Sequence, residues 1–296
     1  MQSPNATEDE NPVQINQDVD AAMETIARVE EALAARKLRC HSGSALGSLF
    51  ATVRRLANDA KPLTGGRRRA TFLRANEAVR IARAVEAALD DDGAKEAIHR
   101  VLRSDMNLAT RQESNGKNAL WELDLYRRLK LGQSPVRFEE PDLVVSLGDE
   151  LGDYAIACKK VYSEGAGENA FKLGCEQLGR HGRPGIVAFN LDDLTPEYEI
   201  WTAPSVRELK QRLDEFNCAF VKAHQALFCA ALRRGDCDGV LVSTSVISDV
   251  PDMSPPINVT RSTAVWKHGA GEKAQIRFNY FQRCLDRVLT LPVGSG

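Results

Sequence analysis

The sequence predicts an α/β protein preceded by an all-helical part, and two observations support this fold class. Up to residue 110 the apolar residues follow helical spacing only. Beyond residue 115, helical stretches alternate with short apolar segments of strand length. A helix, three strands, a helix and a further strand, in that order, are typical of a small mixed sheet packed between helices.

The helical part is predicted to span residues 14–110. Its first helix begins near Asp18 and carries one apolar stripe, with spacings of three and four, formed by Val19, Met23, Ile26, Val29 and Leu33. Three more helices are predicted over Ser48–Asp59, Arg69–Leu89 and Ala94–Arg103. Pro62 and the Gly65–Gly66 pair predict a break before the third helix. An apolar stripe needs a surface to pack on, so we expect this part to bind a partner protein or form a homodimer.

The second part is predicted to span residues 115–296. Its predicted helices are Lys117–Lys130, Glu168–Arg180, Ser205–Arg233 and Ala274–Leu289. Its predicted strands are Val136–Phe138, Leu143–Leu147, Tyr154–Val161, Ile186–Phe189, Glu199–Thr202, Gly239–Val246 and Asn258–Trp266. Ser205 is the predicted N-cap of its helix, with Glu208 as the capping-box partner.

The composition argues against a highly basic nucleic-acid-binding protein, a secreted protein and a membrane-spanning protein. The chain has 296 residues and a formal net charge of -2, which argues against nucleic-acid binding by bulk charge but leaves room for a local basic groove. Residues 1–13 are polar and acidic, so they are predicted to be disordered and not a secretory signal. No segment approaches the roughly 20 apolar residues of a membrane span. The seven cysteines lack Cys-x-x-Cys spacing, so we expect reduced thiols in a cytoplasmic protein.

Two charged residues stand out in the predicted strands. Asp142 follows Pro141 and opens one strand, and Lys159 lies near the end of the next. A charge within an apolar strand is costly unless it is paired or has a function. Because side chains alternate between the two faces of a strand, Lys159 shares its face with Ala157. A carboxylate that holds Mg²⁺ beside a lysine suits phosphodiester hydrolysis, because the ion activates water and neutralises developing charge.

These residues resemble the motifs of the PD-(D/E)XK restriction-endonuclease-like superfamily. The resemblance is carried by Glu122, Pro141–Asp142 and Ile156–Lys160, and it covers about Lys117–Val246. It implies a restriction-endonuclease-like core, αβββαβ, with Asp142 as the central metal ligand, Lys159 as the catalytic lysine and Glu122 as an auxiliary acid. It also implies Mg²⁺ or Mn²⁺ as cofactor, DNA as substrate, and a role in restriction or defence against foreign DNA.

One position departs from the superfamily pattern, and three explanations for it stay open. Ala157 lies where the superfamily has Glu or Asp as the second metal ligand. In the first explanation, the following helix supplies the acid, with Glu176 as the best catalytic and metal-binding candidate and Glu168 as a weaker one. Alternatively, natural loss leaves a catalytically inactive pseudo-nuclease that binds nucleic acid or a protein. The third explanation is a laboratory substitution of Glu by Ala.

Four neighbouring residues are candidates for contact with nucleic acid. By the resemblance, Lys160 and Ser163 extend the rim of the site toward the phosphate backbone. Arg180 and Arg183 flank His181 near the end of a helix, where they either contact phosphate or complement the helix C-terminus.

Arginines also recur along the third predicted helix. Arg74, Arg80 and Arg83 follow the run Arg67–Arg69 on this helix. We interpret them as a solvated face balanced by Glu77 and Glu86, in preference to a phosphate-binding surface.

Overall fold

The computed structural model describes residues 12–58, 65–253 and 257–286. Of the residues 1–13 that were predicted to be disordered, 1–11 lie outside the described residues, as do Asp59, Pro62 and the predicted helical residues 287–289. Pro12 and Val13 belong to a helix, so the prediction of disorder was wrong for these two residues. Within the described ranges, no helix is long and apolar enough to cross a membrane.

The helices occupy most of the predicted segments. They are α1 (Pro12–Ala35), α2 (Ala45–Asn58), α3 (Gly65–Ala88), α4 (Lys95–Arg103), α5 (Asn115–Leu131), α6 (Gly167–His181), α7 (Val206–Arg234) and α8 (Glu272–Asp286). Ser205 caps α7 as predicted, because its hydroxyl accepts a hydrogen bond from the Glu208 N–H. Gly235 ends the same helix in the left-handed conformation, at φ 80°, that glycine adopts readily.

The strands form one mixed, open sheet. They are β1 (Val136–Glu139), β2 (Asp142–Ser146), β3 (Asp153–Lys160), β4 (Gly185–Asn190), β5 (Trp201–Thr202), β6 (Gly239–Asp249) and β7 (Ile257–Trp266). β1, β2 and β3 pair antiparallel, whereas β3, β4 and β6 run parallel. β5 and β7 both pair with β6, β5 parallel and β7 antiparallel. The predicted α/β class and mixed sheet are therefore confirmed, and α5-β1-β2-β3-α6-β4 is the order of elements along the chain.

Helices cover both faces of the sheet. On β3, Ile156 and Cys158 pack in one apolar cluster with Trp121 of α5. Ala155 and Ala157 point the other way and pack with helix residues such as Phe171. The faces of β3 therefore alternate as the sequence indicated. α5 and α8 lie on the first face, and α6 and α7 lie on the second.

The N-terminal helices differ from expectation in two boundaries and in how they are covered. α1 already begins at Pro12, and α3 begins at Gly65, so the Gly65–Gly66 pair opens a helix where a break was predicted. The stripe residues Ile26, Val29 and Leu33 are buried in the same apolar cluster as one face of the sheet. Since the chain itself covers these three residues, their apolar side chains give no reason to expect a partner. A partner protein or homodimer stays a prediction, as does the division into domains at residues 110–115.

Close packing of α6 on β4 requires a glycine. A Cβ added at Gly174 would lie 2.8 Å from Cγ1 of Val187, which is buried and β-branched. Nothing lies within 4 Å of the corresponding position at Gly179, further along the same helix. The contact at Gly174 therefore sets the distance between α6 and the sheet.

We predict that Gly174→Ala lowers the free energy of unfolding by about 1–3 kcal/mol, because the stiff Val187 side chain must move. Gly179→Ala is the matched control, and it should be neutral or raise stability by up to about 1 kcal/mol through helix propensity. Urea unfolding followed by circular dichroism measures both variants. Equal stabilities of the two variants would contradict the close approach.

Candidate functional site

Asp142 lies where β2 meets the end of β3. It is the first residue of β2 and follows a cis peptide bond between Glu140 and Pro141. Pairing of β2 with β3 extends to Leu143 and Ile156, so the Cys158 amide lies beyond the last strand pair. The Asp142 side chain is the hydrogen-bond partner of this amide: its Oδ2 accepts a hydrogen bond of 2.7 Å from the Cys158 N–H. This bond holds the carboxylate at the strand end.

The Asp142 carboxyl titrates far from its usual range. Burial, together with repulsion from the Glu122 carboxylate, raises the pKa of Asp142 to about 7. Lys159 and the Cys158 N–H oppose this rise in pKa. The Asp142 carboxyl group is thus close enough to Glu122 and Lys159, both predicted to lie there, for their charges to act on it, and the charges of Glu140 and Arg100 act there too.

Glu122 reaches the site from α5, where it is buried. Its two carboxylate oxygens accept hydrogen bonds of 3.1 and 2.7 Å from the Arg100 guanidinium of α4. Burial raises the pKa of Glu122, whereas Arg100 and Lys159 lower it. The predicted auxiliary acid is therefore close to Asp142, but Arg100, which was not among the predicted site residues, forms a bidentate ion pair with it.

Lys159 extends toward α6. Its Nζ donates hydrogen bonds to the side-chain oxygen of Gln177 on α6 and, at 3.2 Å, to the Cys158 carbonyl. Its charge also acts on the pKa of both Asp142 and Glu122. The structure thus brings together Asp142, Glu122 and Lys159, which are spread over 38 positions of the chain.

Ala157 is fully buried between the sheet and α6. It pairs with Val187 of β4 and packs in the apolar cluster that contains Phe171. It shares the face of Lys159, so the position that departs from the superfamily pattern lies beside the site but contributes only a methyl group.

Glu176 is placed away from these groups. Its side chain is 59% exposed and lies 3.6 Å from the Arg180 guanidinium, one turn along the helix. It lines a groove together with Cys237 and Arg277, at the opposite end of the parallel strands from Lys159. Consecutive helix residues point about 100° apart, so Gln177 faces Lys159 whereas Glu176 does not. Glu168 is also turned to solvent, where it pairs with Lys172 at 2.6 Å. This placement does not favour a relocated acid on α6.

Lys160 and Ser163 were expected on one rim, and the structure separates them. Lys160 is buried on the opposite face of β3 from Lys159, where its Nζ binds the Asp193 carboxylate and the Asn190 side chain. Ser163 is exposed in the turn between β3 and α6. Burial and pairing of Lys160 leave its ammonium group no access to a surface phosphate.

Arg180 and Arg183 are both engaged by carboxylates. Arg180 pairs with Glu176 on the same helix. Arg183 pairs with Glu139 of β1 and donates a hydrogen bond of 3.4 Å to the Glu140 carbonyl. Among the described residues, neither arginine contacts Asp142 or Lys159, so a role in nucleic-acid binding stays a prediction without support from this geometry.

A buried ionic network lies behind β4 and β6, so the interpretation of Arg80 and Glu77 as part of a solvated helix face was wrong: Arg80 belongs to this network, and Glu77 is buried. Asp124 of α5 binds both Arg80 of α3 and Arg261 of β7, each at 2.7 Å.

Asp192, which follows β4, binds Arg80 at 2.8 Å. Burial alone would raise the pKa of Asp192, but the charges of Arg80 and Lys160 and a hydrogen bond from the Ser245 N–H lower it to about 2. Arg80 and Asp192 line a cavity of about 60 Å³. The Asp-Asp pair directly after a buried strand was the signal for this network.

The residues at the strand end fit a divalent cation only in part. In favour, Asp142 and Glu122 repel each other, and Asp142 Oδ1 makes no hydrogen bond to any described residue. Against, both Glu122 oxygens are bound by Arg100. Over the described residues, no three His, Cys, Asp or Glu side chains are grouped so that they could hold a metal ion.

We predict that Asp142→Asn stabilises the protein at alkaline pH. The pKa of Asp142 is about 7 in the folded protein and near 3.8 in a model peptide, so between these values the folded state binds more protons and stability falls as the pH rises. Asparagine keeps an acceptor for the Cys158 N–H but carries no charge. The free energy of unfolding should rise by about 2–4 kcal/mol at pH 8, less at pH 5, and hardly at all near pH 3.

The control for this experiment is Asp153→Asn. Arg137 lowers the pKa of Asp153, so the charged form stabilises the fold, and losing it should reduce stability at pH 8. Urea unfolding at the three pH values gives both results. A loss of stability in Asp142→Asn at pH 8 would show that the carboxylate is not in a repulsive environment.

Comparisons with protein-family models, with curated proteins and with solved structures gave no match to this chain.

Proposed function

We propose that the part of the chain from α5 to β6 is a restriction-endonuclease-like domain that hydrolyses phosphodiester bonds of DNA with Mg²⁺ or Mn²⁺. Asp142 and Glu122 would hold the ion, and Lys159 would contact the phosphate. The single observation that carries this proposal is the convergence of two mutually repelling carboxyl groups and one ammonium group at the end of β3.

The electrostatics of the two acids support a cation site. Two carboxyl groups in one partly buried place raise each other's pKa, and a divalent cation removes that penalty. Asp142 is held through Oδ2, which leaves Oδ1 as the oxygen for a ligand. A bound Mg²⁺ would supply a water of lowered pKa and positive charge at the leaving oxygen.

Lys159 is held where its positive charge acts on both Asp142 and Glu122. Hydrogen bonds to Gln177 and to the Cys158 carbonyl hold the ammonium group, so it is oriented before any substrate binds. An ammonium group oriented in this way stabilises negative charge that develops on a phosphate. Gln177 is therefore a positioning residue for Lys159.

The second candidate function is a catalytically inactive module that binds nucleic acid or a protein. Two observations favour it: Arg100 already binds both oxygens of Glu122, and Ala157 adds no acid beside Asp142. In this alternative, Arg100 takes the place of a cation as the positive partner of the two acids.

We predict that Mn²⁺ binds this chain through Asp142 and that its affinity rises with pH. A proton competes with the ion for a carboxyl of pKa about 7, so affinity should increase through pH 7 and level off above it. Isothermal titration calorimetry with MnCl₂ measures this. Asp142→Asn should abolish binding, whereas Glu176→Gln, which changes an exposed acid of α6, should leave it unchanged.

The other outcomes of the titration decide between the explanations for Ala157. Loss of binding in Glu176→Gln would support an acid moved to α6 and contradict the assignment to Glu122. Absence of Mn²⁺ binding in the unmodified chain at pH 8 would favour the inactive module.

We predict slow, Mn²⁺-dependent nicking of supercoiled plasmid DNA by this chain. Asp142→Asn and Lys159→Met should each lower the rate at least about 100-fold, since each removes a charge at the reacting phosphate. Glu176→Gln should cleave like the unmodified chain and serves as the matched preparation control. Equal nicking by all four proteins would reveal a contaminating nuclease and remove support for the proposal.

A further inference from the structure

Two cysteines from different elements line one groove. Cys175 belongs to α6, and Cys237 lies in the turn between α7 and β6. The groove has a volume of about 670 Å³ and lies at the opposite end of the parallel strands from Lys159. Both thiols are free; Cys175 is half-buried and Cys237 is buried. No other cysteine of the described residues lines this groove, so the pair stands apart.

Backbone and helix packing bring the two cysteines toward one point of the fold, Gly185 at the start of β4. The N–H of Asp238, the residue after Cys237, donates a hydrogen bond of 2.8 Å to the Gly185 carbonyl. On the side of α6, a Cβ added at Gly185 would lie 2.8 Å from Cδ2 of Leu178. Cys175 precedes Leu178 by three positions, so both side chains share one face of α6. Cys175 is therefore directed toward the turn that holds Cys237.

The two thiols also interact with each other. Cys175 packs on the apolar cluster that contains Cys237. Hydrogen bonding with the Cys175 thiol and burial raise the pKa of the Cys237 thiol well above its usual value. Cys237 therefore stays protonated at neutral pH, and a thiol is a far weaker nucleophile than a thiolate. Cys175 is the more exposed of the two, so it is the thiol that a small molecule in the groove reaches first.

We propose that Cys175 and Cys237 form a redox modification site, at which hydrogen peroxide converts the two thiols into an intramolecular disulfide. This inference goes beyond the proposed function and does not depend on it. Charged groups that line the groove are paired, as Arg277 is with Asp238 at 2.7 Å. The groove therefore suits a small uncharged molecule such as a peroxide better than an anion.

The first step of the reaction takes place at Cys175. Its thiolate attacks one oxygen of hydrogen peroxide, so that an S–O bond forms and the O–O bond breaks. The hydroxide that leaves takes up the proton released by the thiol and becomes water. The Cys175 sulfur is oxidised by two electrons to a sulfenic acid, and the peroxide is reduced.

The second step joins the two residues. The Cys237 sulfur loses its proton and attacks the Cys175 sulfur, so that the S–S bond forms and the S–O bond breaks. The hydroxide that leaves takes up the proton of Cys237 and becomes the second water. Two thiols and one peroxide thus give one disulfide and two waters, and no further reactant is needed.

The disulfide would connect α6 to the start of β6. It closes a long loop, residues 175–237, and such a closure restricts the unfolded chain, so the oxidised protein should be the more stable form. α6 also carries Gln177, whose side chain accepts a hydrogen bond from Lys159. Oxidation in the groove would therefore restrain the helix that supports the candidate site at the other end of the sheet.

The test is peptide mapping of the full chain without reductant. After treatment with an equimolar amount of hydrogen peroxide, we expect one linked pair of peptides, containing Cys175 and Cys237, which dithiothreitol separates. Cys175→Ser should prevent this link. Cys218→Ser is the matched control and should leave the link unchanged, because Cys218 is an exposed cysteine of α7 that does not line the groove.

A second variant tests the order of the two steps. Cys237→Ala keeps a small apolar side chain at the buried position and removes the second thiol, so Cys175 should stop at the sulfenic acid. Dimedone, which labels sulfenic acids, should then mark Cys175 at least about 10-fold more in this variant than in the unmodified chain. Equal labelling of the two proteins would show that Cys237 does not react with the sulfenic acid and would overturn the proposal.

Thermal unfolding gives a readout that is independent of mass. Peroxide should raise the unfolding midpoint of the unmodified chain by about 5 °C, and dithiothreitol should reverse the rise. Cys175→Ser and Cys237→Ala should show no rise, whatever the midpoint of each variant before treatment. Two results would contradict the inference: Cys175 and Cys237 both still free after peroxide treatment, or a disulfide that joins two chains and runs as a dimer on a non-reducing gel.

Discussion

The hydrogen bond from the Cys158 amide to the Asp142 carboxylate is the interaction on which the candidate site depends. It forms at the point where β2 no longer pairs with β3, so a side chain takes the role of a strand carbonyl. Because the antiparallel register sets which residues meet there, the carboxylate lies beside the end of β3 and within range of the Lys159 charge. A shift of one residue in this register would turn Asp142 to the other face.

Much of the fold could be predicted from the sequence, because apolar spacing reports helices and strands directly. The alternation of β3, the N-cap at Ser205 and the order of elements from α5 to β4 follow from local pattern. The break predicted at Gly65–Gly66 was wrong, because local propensity for a turn does not prevent a helix from forming. The merging of the N-terminal helices with the core of the sheet depends on tertiary packing, which periodicity alone does not report.

The site was predictable in part, and the differences have physical reasons. Strand pairing is regular, so the position of Asp142 beside Cys158, the neighbour of Lys159 in β3, could be anticipated. The choice between Glu176 and Gln177 depended on helix phase, in which one residue corresponds to a rotation of about 100°. The bidentate ion pair between Arg100 and Glu122 joins two helices, so no local sequence pattern predicts it. Lys160 illustrates the opposite case: strand alternation already places it across the sheet from Lys159, so a common rim was inconsistent with the pattern.

One contact of α5 has a wider consequence. The Trp121 indole N–H donates a hydrogen bond of 2.9 Å to the Ala188 carbonyl, and both groups are buried. Rotating or sliding α5 would leave this donor and acceptor unsatisfied in an apolar interior, at a cost of about 1–3 kcal/mol for each group. The position of α5 on the sheet is therefore fixed, and this also fixes the position of Glu122, the residue after Trp121. Because α5 is held in place before binding, a ligand at Glu122 would lose little binding free energy to ordering of this helix.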